Sequence, residues 1–162
     1  MFKLSSITVD PLKLKEDILS SSAGACSIFE GWVRNHNDGK NVVALEYEAF
    51  AELCTKEAEK IFEEVEKKFN ILHTECVHRV GRLKVGEIAV WVGVSAPHRD
   101  SAFKACRYII DEIKTRLPIW KKEHYANGDS GWVGCGVDHC AVYGQRPTVY
   151  KGPQQDSSLS MK

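Results

Sequence analysis

The stretch from Ile113 to His124 reads IKTRLPIWKKEH and sets Lys114, Arg116, Lys121 and Lys122 around a proline and a tryptophan. Cations held at fixed places bind anions, and a lysine whose ammonium is partly desolvated also becomes a usable base or nucleophile. From Lys104 to Lys122 six cations stand against two acids, a local net of plus four. A second cluster lies upstream in SAPHRDSAF, where His98 and Arg99 separate an apolar run from a helical pattern. The first N–H groups of a helix lack internal partners and favour anions, and arginine offers a planar fork matched to phosphate oxygens. Arg34 ends another apolar segment.

Each of these residues has an ordinary reading beside the chemical one. Lys114 follows Ile113 on an apolar stripe, where a lysine stem commonly snorkels, and spacing alone favours that reading. Arg99 can pair with a surface acid, and His98 can be a plain loop residue. Trp120 can serve packing alone, or it can fix Lys121 at a definite place. Cys135, His139 and Cys140 lie close together, but a fourth ligand and the C-x2-C spacing are missing. No metal site is therefore expected.

The chain of 162 residues is 43% hydrophobic, enough for one cored domain. Its 22 basic and 22 acidic side chains argue against a general nucleic-acid or membrane-surface binder, so an anion site must come from local clustering. The N-terminal segment lacks the apolar core of a signal peptide, and no apolar run approaches the roughly 20 residues needed to cross a bilayer. The expectation is a cytosolic protein without disulfides. Cys26, Cys54, Cys76 and Cys106 fall in apolar segments and read as core.

The elements that must position these residues are legible in outline. Asp10 and Pro11 open a short helix to about Ser20. A strand from Ala25 to Arg34 leads into NHNDGK, whose Asp38-Gly39 pair signals a hairpin. On the return strand Val43, Leu45, Tyr47 and Ala49 alternate inward against Glu46 and Glu48. A helix follows from about Ala49 to Phe69, with Phe50, Leu53, Ala58, Ile61, Phe62, Val65 and Phe69 as its stripe. From Glu46 to Glu66 eight glutamates face two lysines, which reads as a solvated face before it reads as a docking surface. HTECVHRVGRL is taken as one strand, and Ile88 to Ala96 as a central one. A third helix starts at Asp100 or Ser101, either of which can cap it. It buries Ala102, Phe103, Cys106, Ile109, Ile110 and Ile113 and stops before Pro118. SGWVG makes a last strand. This order gives an α+β protein, helices packed on a mostly antiparallel sheet. Residues 1–134 form a single domain, and 135–162, rich in Gly, Pro and Ser, a mobile or partner-binding tail.

Four segments also carry a family resemblance. GWVRNHNDGKNVVALEYEAF, HRVGRLKVGE, SAPHRDSAF and IKTRLPIWKKE stand in this order between roughly Ala23 and Val133. Together they resemble the large, catalytic subunits of molybdopterin synthases. The resemblance implies an α/β hammerhead fold with a small additional antiparallel sheet. It implies a dimer that binds a small ubiquitin-like sulfur-carrier subunit at each end, a heterotetramer overall. The carrier's C-terminal Gly-Gly thiocarboxylate would enter a pocket and give its sulfur to cyclic pyranopterin monophosphate, forming the molybdopterin dithiolene.

By the same resemblance Lys114 is the main catalytic residue and Lys121 its companion. Arg34, His98, Arg99 and Lys121 would bind the substrate, and Arg79 is a weaker candidate. No metal or redox cofactor is implied. Some relatives carry an arginine soon after the Trp-Val of the last motif, reaching the neighbouring subunit's pocket; here the sequence at that place is Gly134-Cys135-Gly136. The competing reading is a non-catalytic α+β module that holds a phosphorylated ligand or an acidic partner tail with the same cations.

Overall fold

The structure, a computed structural model, describes residues 1–134. The expected tail, 135–162, and the Cys135, His139, Cys140 group within it lie outside the described residues. The elements run β1 (Phe2–Ser5), α1 (Pro11–Asp17), β2 (Ala25–Trp32), β3 (His36–Asn37), β4 (Lys40–Ala49), α2 (Ala51–Lys68), β5 (His73–Arg79), β6 (Gly81–Lys84), β7 (Ile88–Ala96), α3 (Arg99–Arg116), β8 (Ile119–Tyr125) and β9 (Ser130–Gly134). The class is α+β, as expected.

One sheet has the strand order β1-β5-β7-β2 and the other β3-β4-β8-β9, with β6 also paired to β4. The second sheet, with five strands, is no small appendage. All pairings are antiparallel except β1 with β5. Neither β1 nor β8 was expected. The first is only four residues long, and the second is crowded with charge. The single strand expected from His73 to Leu83 is two. The chain leaves β5 and crosses to the other sheet at Gly81, whose φ of +82° suits glycine.

The main core joins both sheets to α2 and α3, through residues such as Ile61 and Val65 on α2, Ile109 and Ile113 on α3, and Val92 on β7. Burying such a side chain is worth about 1.5–3 kcal/mol. A smaller core of Val9, Ile18, Val77 and Trp91 covers the opposite face of the first sheet. There the Trp91 ring lies where a Cβ on Gly93 would be, so that position accepts no side chain.

Local corrections follow from register. A bulge between Val42 and Ala44 shifts the phase of β4, so Val42 joins Leu45, Tyr47 and Ala49 in the core while Val43 stays 49% exposed. Glu48, expected outside, is buried. On α2 Cys54 is fully buried where Leu53 is only half-buried. On α3 Ala105 takes the core place expected for Phe103, which is 63% exposed. The α3 N-cap is His98, without a side-chain capping bond, and Asp100 instead pairs with Lys104 at 2.8 Å. The helix does end before Pro118, and Asp10 does cap α1 by accepting from the Leu12 and Lys13 N–H groups.

Candidate active site

The cavity between the two sheets has a volume of about 460 Å3, within the usual range for a small-molecule site. Arg34, Lys114 and Lys121 all line it. Three elements distant in sequence thus converge: the segment after β2, the last turn of α3, and β8.

Arg34 owes its place to the end of β2. A bulge between Gly31 and Trp32 turns the strand, and a Cβ on Gly31 would lie 2.7 Å from Val90 Cγ1. Backbone bonds Val33 N–H to Glu87 O and Val42 N–H to Asn35 O then hold the segment. The Asp38-Gly39 turn, with φ of 46° and 75°, does form a hairpin, but it joins the two-residue β3 to β4, while the expected first arm, β2, pairs with β7 in the other sheet. Arg34 Nη2 donates to Asn37 Oδ1 at 2.6 Å.

Lys121 stands on β8 with Ile119, Glu123 and Tyr125 on the same face, by strand alternation. Its Nζ lies 2.9 Å from Glu123 Oε1. Asn37 Nδ2 and the Tyr125 hydroxyl donate to Glu123 Oε2 at 3.1 and 2.8 Å. Glu123 is only 2% exposed. Burial works to raise its pKa, but the bonds from Lys121, Tyr125 and Asn37 together hold the carboxyl below the ordinary value. One buried carboxylate therefore ties both Lys121 and, through Asn37, Arg34.

Lys114 is solvent-exposed at the cavity mouth, as the snorkelling reading expects, with Nζ 5.8 Å from the centre of the Phe29 ring. It also borders a second, shallower cavity lined by Phe29, Phe103 and Ile110.

His98 and Arg99 are exposed at the other end of α3. At about 1.5 Å per residue they lie on the order of 20 Å from Lys114 along the helix. Within one chain they are not brought to the cavity. Arg79 is not there either. Alternation along β5 turns His78 to the cavity and Arg79, 4% exposed, to the other face, where its Nε and Nη1 have no hydrogen-bond partner.

Two site residues escaped the sequence reading. Glu123 would have been visible had IWKKEHY been read as a strand, because its i, i+2 spacing from Lys121 shares a face. His78 carried no signal; only the pairing of β5 brings it to the cavity floor.

Among the described cysteines, Cys54, Cys76 and Cys106 are buried and Cys26, against expectation, is exposed. None lines the cavity. Burial pushes the Cys54 thiol up to about 12 and raises those of Cys76 and Cys106. These thiols are poor nucleophiles at neutral pH. The site can bind and polarise anions, and no described cysteine stands in it to give sulfur.

A family model described as MoaE protein matches residues 5–116. The chain belongs to the MoaE family. A molybdopterin synthase catalytic subunit of Thermoplasma volcanium is 45% identical over 124 residues, covering 76% of this chain and 90% of that protein. One from Nostoc sp. is 42% identical over 144 residues, 86% of each chain. The crystal structure of molybdopterin synthase from Staphylococcus aureus superposes with a TM-score of 0.77 at 35% identity, covering 82% of this chain and 96% of that one. The MoaE match spans Arg34, His98, Arg99 and Lys114; Lys121 lies beyond its end. Among the described residues no helix of this MoaE chain is long and apolar enough to cross a membrane.

Proposed function

We propose that the chain is the catalytic subunit of a molybdopterin synthase working in the cytosol. It transfers sulfur from the C-terminal thiocarboxylate of a small ubiquitin-like carrier to cyclic pyranopterin monophosphate. Two transfers, with opening of the cyclic phosphate, give the dithiolene of molybdopterin. The observation that carries this reading is the convergence of Arg34, Lys114 and Lys121 on one cavity.

The physics supports that assignment. Both the cyclic phosphate and the thiocarboxylate are anions. Cations fixed beforehand stabilise charge as it develops without reorganising at the moment of reaction. Lys121 and Arg34 are fixed in this way by Glu123 and Asn37. Lys114, at the mouth, is placed to meet the incoming carrier tail and to serve as acid/base or transient acceptor. The sulfur arrives on the carrier, which fits a cavity that none of the described cysteines lines.

His98 and Arg99 complete the substrate site from a second copy of the chain, since their own cavity is a helix length away. Support for a dimer comes from the β2 edge, where Ile28, 39% exposed, and Phe103 present apolar surface beside Lys114.

Reconstitution tests the function. Purified chain, thiocarboxylated carrier and cyclic pyranopterin monophosphate should yield a dithiolene product. Binding of the pterin and carrier without product would favour the non-catalytic module.

A further inference from the structure

The polar groups of the cavity are unequal. Arg34 and Lys114 stand exposed at its mouth, while His78 is 8% exposed at its base. His78 Nδ1 lies 2.8 Å from the Arg79 carbonyl oxygen, which can only accept, so Nδ1 carries the proton. The ring is also held edge-on to Tyr47, with centroids 5.1 Å apart at 78°. Nε2 is then a lone-pair acceptor, and no described residue donates to it. The buried Glu123 carboxylate of the cavity is already engaged, since both its oxygens have partners.

We propose that His78 is a substrate-binding residue of this site, its Nε2 accepting a hydrogen bond from an N–H of the substrate's nitrogen heterocycle. This rests on the molybdopterin synthase reading and deepens it. The cations at the mouth hold the anionic end of the substrate. The base of the cavity then sorts ligands by what they point inward, accepting a donor edge and rejecting a carbonyl or a second anion. Burial, aided by the nearby Lys114 charge and opposed by the Arg79 carbonyl, lowers the imidazole pKa to about 4, which keeps it neutral at physiological pH. So weak a base does not take a proton from a lysine. Acceptance of a hydrogen bond is the role its state permits.

Two substitutions separate this role from a structural one. His78→Asn places an amide where Nδ1 was and keeps the bond to the Arg79 carbonyl, but leaves nothing at the Nε2 position. His78→Gln reaches the Nε2 position and gives up the Arg79 bond. In the reconstituted reaction His78→Asn should raise KM for cyclic pyranopterin monophosphate by about tenfold or more, with kcat changed far less. His78→Gln should stay near the wild-type KM while melting at a lower temperature. The reverse order, Gln impaired in KM and Asn normal, overturns the proposal, as does an unchanged KM in both. Calorimetric titration of the same pterin into each protein, without carrier, gives an independent reading. If wild type binds the pterin but makes no product, the enzyme reading fails while the Asn and Gln affinities still decide the role of His78. If wild type does not bind it, both fall.

Discussion

Lys121 Nζ and Glu123 Oε1 meet at 2.9 Å across one intervening residue of β8. The pair joins a half-buried cation to an almost fully buried anion, and the anion also receives Asn37 and Tyr125. Removing one member of such a pair leaves its partners unsatisfied. Glu123→Gln should therefore lower folding stability by about 1–3 kcal/mol and turnover by about tenfold or more, because Lys121 loses its fixed position. Denaturant unfolding and the reconstituted assay read the two effects separately. Wild-type kcat in this variant would mean that Lys121 needs no anchor.

Lys114 should behave differently. It is exposed and no described side chain bonds its ammonium, so Lys114→Ala should change stability by less than about 0.5 kcal/mol. Turnover should fall about a hundredfold or more, the scale of lost acid/base assistance, while the carrier still binds. Near-normal product formation would remove Lys114 from the chemistry.

His78 makes stability depend on pH. Its folded pKa of about 4 lies below the ordinary value of 6.5. Between those values the unfolded chain binds more protons, so stability rises with pH. The contribution is complete above the unfolded pKa and is lost as pH falls toward the folded one, of order 3 kcal/mol in all. Urea unfolding from about pH 7 to about pH 4.5 should show a steeper loss in wild type than in His78→Asn, which cannot titrate there. Parallel curves would contradict this.

Arg116, one of the four cations around Pro118 and Trp120 in the sequence, pins α2 to α3. Its guanidinium contacts Glu57 at 2.6 Å, Glu64 at 3.0 Å and Glu112 at 3.2 Å. Arg116→Ala leaves three carboxylates facing one another. Allowing for partial solvent screening, it should cost about 1–2 kcal/mol of stability. Arg116 does not line the cavity, so turnover well below the melting temperature should hold. A stable variant by thermal melting would show that solvent replaces the network.

The helices were the readable part of the fold. Asp10 as a cap, the stop before Pro118 and, apart from Leu53 and Phe103, most of the stripes of α2 and α3 are local effects of one segment, and they appear where the residues put them. Strands were harder. The outward turn of Val43 comes from a bulge against β8, and the split at Gly81 comes from β6 choosing the second sheet. Neither partner is written in the strand itself.

The same division runs through the site. Arg34, Lys114 and Lys121 were marked by charge at the ends of elements and by a specific family pattern, and those are properties of the chain alone. Their meeting in one cavity, the burial of Glu123 beside Lys121, the turning of His78 inward and Arg79 outward, and the distance of His98 and Arg99 from Lys114 all depend on tertiary structure. Which strands pair, and in which register, is set by contacts between residues far apart in sequence, and a shift of one residue exchanges the two faces of a strand. Sequence could therefore name the cations of this site, but only the fold decides which neutral and acidic groups they meet.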